Sequence, residues 1–225
     1  MSMKRLIEVL EGERLPHNIP RMKPAPLNKE LQRADLSGAN LTRANLSSAN
    51  LTRANLEKAD LTDAKINFAV MPGVKIVKSD LTKAEFDRST LEYATFKFAE
   101  LKGANFERAN LTEAPMNYAI FDGAYLWKAR FRKSKLTETD MEQAEFYKTN
   151  VHKAVFTYVD FTEANMSHCY FQGATVSGIF KGAKVGGSNF QGADFGRANL
   201  EGADFSDAQN LDKAIMPKGY KLVEE

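Results

Sequence analysis

The chain is poor in the residues that secreted and catalytic proteins lean on. It has one cysteine, Cys169, in 225 residues. That excludes an internal disulfide framework and fits a reducing compartment, the cytoplasm by default. No apolar run approaches the ~18 residues that a helical membrane span requires. The opening MSMKRLIEVLEGERL has neither the long apolar core nor the small-residue cleavage site of a secretory signal. Its three histidines are His17, His152 and His168, and no two share a metal-ligand spacing. The glycine-containing stretch GGSNFQG lacks the lysine and the strand–helix context of a phosphate loop. A net charge of +2 excludes both a uniformly basic nucleic-acid binder and a uniformly acidic mimic. From these absences we expect no catalytic residue, metal ligand or cofactor, and a protein that is not an enzyme.

The chain does contain a repeat. In ADLSGANLTRANLSSANLTRANLEKADL a leucine recurs every five residues, from Leu36 to Leu61. The same frame continues through Ile66, Met71, Ile76, Leu81 and Phe86 and on to Phe171 and Val176. A small residue, usually Ala, stands two positions before each of these centres; exceptions include Ser79, Ser89, Ser134, Thr139, Thr149, Val159 and Cys169. In an α-helix five residues turn about 500°, so the apolar positions would smear around the whole cylinder. In a continuous strand an odd period would flip each centre to the opposite face. The backbone must therefore make the same turn once per five residues, with the centre and the small residue inside and three residues outside. Such a coil stacks on itself as a solenoid.

Units such as ANLTR, ADLTD, ANFER and ADFSD resemble the A(D/N)Lxx motif of the pentapeptide repeat family, over about residues 30 to 216. The flanks LIEVLEGERL and LDKAIMPKGYKL look like those of cyanobacterial members. The resemblance implies an all-β fold, a right-handed quadrilateral parallel β-helix with four units per coil. The sequence supplies the five; the resemblance supplies the four. Together they predict about nine coils and a tower roughly 43 Å long at ~4.8 Å per coil. A short capping helix and a proline-rich extended segment are expected over 1–29, the β-helix over 30–209, and a C-terminal cap and tail over 210–225. Phe180 follows Val176 by four residues instead of five. This frame slip near 177–180 is expected at a corner, with Gly178 supplying a permissive backbone.

Three outward surfaces are candidates for a partner. If residues twenty apart stack, one face gathers Asp60, Asp63, Asp80, Glu100, Asp122, Asp140, Glu142, Asp160 and Glu163, where acids outnumber bases. The opposite face and its adjoining edge carry a basic strip: Arg88, Arg108, Lys128, Arg130, Arg132, Lys133, Lys148 and Lys153. Phe98, Tyr118 and Tyr158 share an outward column, and Trp127 and Tyr147 share another. Exposed aromatics and complementary charge are the usual material of protein interfaces. An Asp or Asn just before each centre also has a structural use, since its side chain can accept a turn N–H. His152 and His168 read as solvated residues and Cys169 as a buried, inert thiol. The expected function is a rigid, non-enzymatic scaffold that binds a protein partner, with nucleic acid and membrane excluded. As an oligomer, a monomer or a weak end-to-end dimer is expected. The family resemblance adds an alternative, a DNA mimic that binds a type II topoisomerase (gyrase) and affects quinolone sensitivity, to which the acidic face would be suited.

Overall fold

The computed structural model describes residues 31–220. The capping helix expected over 1–29 lies outside them. Parallel bridges join residues twenty apart, starting with Asp35↔Asn55, Asn40↔Asp60, Asn45↔Lys65 and Asn50↔Val70. Twenty residues per coil is four units of five, so the chain is a parallel β-helix with four sides. Every centre from Leu31 to Phe195 is buried, and a small residue is packed beside nearly every one.

The unit from Leu61 to Lys65 shows why this backbone repeats, because each of its five N–H groups has an assigned acceptor. Leu61 and Asp63 donate to the next coil, to the carbonyls of Asp80 at 2.7 Å and Thr82 at 3.0 Å. Ala64 closes the turn onto Leu61 at 2.9 Å, and Lys65 donates back to Ala44 at 2.9 Å. The remaining N–H, that of Thr62, goes to Asp60 Oδ1 at 2.9 Å. Where an Asp or Asn precedes the centre, as at Asp60, Asp80, Asp140 and Asp160, it satisfies the one donor that the backbone leaves unpaired.

The turn itself is type II: Ala64 bonds Leu61, and Asp63 has φ 56°. Every fifth residue from Arg33 to Gly173 has this left-handed φ. Few are glycine; Arg, Lys, Phe, Tyr and Glu fill most of the positions. Each non-glycine costs on the order of 1–2 kcal/mol, offset by the bond its N–H makes to the next coil.

The interior is solid. Centres stack coil on coil, as Phe86 on Phe106 at 4.6 Å and Phe171 on Phe190 at 5.0 Å between ring centroids. Where a hydroxyl replaces Ala at the small position, it usually donates to a carbonyl of the coil below: Ser79 to Leu56 at 2.6 Å, Ser134 to Leu111 at 2.7 Å, Thr149 to Leu126 at 2.6 Å; Ser89 instead donates to Phe86 of its own turn at 2.8 Å. Cys169 sits the same way, with Sγ 3.0 Å from the Phe146 carbonyl, and burial pushes its thiol pKa up.

Above these coils the register changes. Strands β1 (Lys135–Thr137), β2 (Val155–Asp160) and β3 (Thr175–Ile179) pair in parallel in that order. Phe156 pairs with Val176 but Val159 with Gly178, so Thr157 and Tyr158 oppose the single residue Ser177. From there the bridges span nineteen residues, as in Asn165↔Lys184, until the next coils return to twenty with Lys184↔Asp204. Gly178 is not left-handed. Its role is close approach, because a Cβ there would lie 2.2 Å from the Val159 carbonyl oxygen. At the top of the described chain a 3-10 turn, Leu211–Lys213, follows the last coil, and the Tyr220 ring packs on Phe205 at 5.7 Å.

Candidate functional site

The four-sided coil converts spacing into surface: residues twenty apart form vertical ladders, and residues ten apart face opposite ways. The acids lie along one bridged ladder and the two turn ladders beside it. Asp60, Asp80 and Glu100 are bridged in sequence, Ile120 interrupts, and Asp140 and Asp160 resume. Asp122, Glu142 and Glu163 sit at the turn beside them.

Many of these acids have a structural task. Asp60, Asp80, Asp140 and Asp160 each accept the N–H two residues on, at 2.9–3.0 Å. The bonds from the Thr62 N–H and hydroxyl hold the Asp60 carboxyl below its usual range. The face is also uneven along the tower. Low down, Asp63 is 3.7 Å from Arg43. At mid-height Lys102 reaches Asp122 at 2.7 Å, and that bond raises the lysine pKa. Above it, carboxylates converge: Asp140 first, then Asp160, loss of hydration, Asp122 and Glu163 push Glu142 above its usual range.

The basic strip divides at the same height. Arg88 and Arg108 each face an acid of their own turn, Asp87 at 3.7 Å and Glu107 at 3.3 Å. One and two coils higher those acids give way to Trp127 and Tyr147. Lys128 lies over the Trp127 ring at 4.9 Å and Lys148 over the Tyr147 ring at 4.9 Å. The two rings are 6.1 Å apart, and Tyr147 meets His168 edge-on at 5.3 Å. Arg130, Arg132 and Lys153 are exposed around them, and Lys133 bonds Glu113 at 3.3 Å. Partial burial, then Lys153 and Arg132, lower the His152 pKa. The strip is therefore a row of ion pairs below and, above, a basic–aromatic patch that, Lys133 aside, holds no ion pair among the described residues.

Of the other aromatics, Phe98 and Tyr118 stack at 4.9 Å, with Lys97 over Phe98 at 5.1 Å. Tyr158 stands apart beyond Glu138 at 72% exposure, beside a depression of about 350 Å³ at the register change that Arg197 also lines. The sequence reading missed this depression and the division of both charged faces into paired and unpaired halves. The signal for the second was present: Asp87 and Glu107 precede Arg88 and Arg108, whereas Trp127 and Tyr147 precede Lys128 and Lys148.

Among the described residues no helix is long and apolar enough to cross a membrane, and no three His, Cys, Asp or Glu side chains converge as metal ligands would. The family profile of pentapeptide repeats matches residues 30–67, 71–108, 91–127, 128–162 and 144–178, and a second such profile matches 171–215. No curated protein sequence matches the chain. Among solved structures, HetL, a pentapeptide repeat protein involved in heterocyst differentiation regulation from the cyanobacterium Nostoc sp. strain PCC 7120, is similar at 27% identity. It superimposes with a TM-score of 0.54 over 83% of this chain and 78% of its own. QnrB1, a plasmid-mediated fluoroquinolone resistance protein, matches at 19% identity and a TM-score of 0.44, over 80% of this chain and 91% of its own. Rfr23, from the cyanobacterium Cyanothece 51142, matches at 20% and 0.17, over 48% and 63%.

Proposed function

Since this chain belongs to the pentapeptide repeat family, we propose that it works as a non-enzymatic scaffold in the cytoplasm, a rigid right-handed β-helical tower whose outer faces dock a protein partner. The observation that carries this reading is the basic–aromatic patch of Trp127, Lys128, Arg130, Tyr147, Lys148 and Lys153. It gathers anchors and charge on four turns each closed by a backbone hydrogen bond, Ala129 to Leu126, Ser134 to Phe131, Thr149 to Phe146 and Ala154 to Val151. The pre-ordered surface costs little entropy on binding. The partner surface that fits it is acidic. A cross-linking pull-down from the native cell tests this, with the triple variant Lys128→Glu, Lys148→Glu, Lys153→Glu as its control. Proteins held by the wild type and lost from the variant support the reading; identical captures overturn it.

The acidic ladders carry a second reading, mimicry of a DNA strand toward a type II topoisomerase. It is the weaker, because Ile120 breaks the row and Arg43 and Lys102 oppose it. A gyrase supercoiling assay separates the two: inhibition at low micromolar protein, abolished by Glu142→Lys with Glu163→Lys, favours mimicry.

A further inference from the structure

We propose that the acidic face of a second copy of this chain occupies the basic–aromatic face, so that towers associate side by side. The inference rests on the scaffold reading and names its partner.

Three observations point the same way. The parts of both faces that hold no ion pair among the described residues lie at one height, Asp140 to Glu163 on one side and Trp127 to Lys153, Lys133 aside, on the other. They are half a coil apart: the Arg130↔Asn150 ladder and the Asp140↔Asp160 ladder are offset by ten residues in a twenty-residue coil. A sideways translation of one tower therefore sets carboxylates against lysines and arginines with no tilt or shift in height. The third observation is spacing. Both faces repeat at the coil rise, ~4.8 Å, so Asp140 and Asp160 step along the axis at the same interval as Lys128 and Lys148, with Glu142 and Glu163 on neighbouring ladders at the turn beside the two acids. Another tower of this chain carries that interval, whereas a partner without it matches one rung at a time. A net charge of +2 leaves little repulsion between whole molecules.

Because the two patches differ, the contact is heterologous, and repeated translation gives an open row rather than a closed dimer. The matched patch is about three coils high, roughly 14 Å. That is small beside the ~800 Å² per partner of a stable interface, so the association is weak, fast and salt-dependent.

The test is sedimentation of the full-length protein over a concentration series at about 20 mM and about 500 mM salt. We expect the average mass to rise with concentration at low salt and return to the monomer at high salt. Two variants make the result specific. Glu142→Lys with Glu163→Lys cancels the charge of the upper acidic face and leaves the basic face intact, and the Lys128, Lys148, Lys153 to Glu triple cancels that of the upper basic face and leaves the acidic face intact. Each substitution suits its position, since Lys102 shares the Glu142 ladder and Glu113, Glu138 and Glu163 occupy the same left-handed turn position as the three lysines. Each variant alone should stay monomeric, and an equimolar mixture should associate. A wild type that stays monomeric at low salt overturns the proposal. So does association that survives both sets of substitutions, which would place the contact at the tower ends, and so does a mixture that fails to associate while both variants melt as the wild type does. A monomeric wild type whose basic face still captures a cellular protein would remove this inference and leave the scaffold reading standing.

Discussion

Two turns on the same edge of the tower, one coil apart, differ by a single residue in what lies above them. The Glu138 N–H meets the Thr157 carbonyl at 2.8 Å, as Tyr118 does with Thr137 at 2.9 Å. The Tyr158 N–H has one residue fewer overhead and meets the Ser177 hydroxyl instead, at 3.2 Å. One position on, where other coils place Ala, Gly178 lies so close to the Val159 backbone that no Cβ fits. The lesson is that this coil accepts a deletion when two residues answer for it, an oxygen that replaces the lost carbonyl and a glycine that lets the chains approach.

The largest change we expect lies outside the register change. Leu101→Asp puts a carboxylate into the dry centre of a regular coil and should cost upward of ~4 kcal/mol. A native melting curve for that variant would break the inward assignment of the centres. Next is a contrast between two glycines. Gly178→Ala drives a methyl into the Val159 carbonyl and should cost about 2–3 kcal/mol. Gly123→Ala, at φ 62° with nothing within 4 Å of the new atom, should cost about 1 kcal/mol from its backbone conformation alone. Equal losses by chemical denaturation would erase the distinction between a turn and a close approach. Ser177→Ala removes only the substitute acceptor and should cost ~1 kcal/mol, with faster hydrogen exchange at the Tyr158 amide and no change at Glu138.

The smallest effect is a pH dependence. Glu142 has a folded pKa raised above its ordinary value of 4.5 by the carboxylates around it, so the folded state holds that proton more tightly than the unfolded chain does. Stability is then lost as pH rises from about 4.5 through the folded pKa. Glu142→Gln should flatten the melting temperature across that window and raise it slightly at neutral pH. Asp60 behaves oppositely: its lowered pKa means stability lost as pH falls below 3.8. A variant that keeps the wild-type slope above pH 4.5 would show that the carboxylates near Glu142 do not interact.

Most of the fold was written in the period of five and the identity of the inward residues, because a dry core reports itself directly as apolar spacing. Four sides per coil was not, since nothing in a local repeat counts the turns before a chain returns over itself. Nor were the left-handed turn residues. Propensity looks for Gly or Asn there and finds Arg33, Phe98 and Tyr158, held in place by bonds to a coil twenty residues away. The register change was visible as a spacing of four at Phe180, but Gly178 was assigned conformational freedom when its task is contact. On the surface, the charged faces could be listed from sequence. Which acids were occupied could not, because the bonds of Asp60 and Asp140 to turn N–H groups depend on the turn geometry.

The one-residue mismatch opposite Thr157 and Tyr158 has a consequence for how such a chain tolerates insertion and loss. In an ordinary alternating strand, deleting one residue turns everything downstream inside out. Here Phe180, Val185, Phe190 and Phe195 return to the interior at once, and the ladders above continue over those below. The error is contained within one edge of one storey. A tower built this way can lose a residue at a corner equipped for it and keep the facing of every storey above.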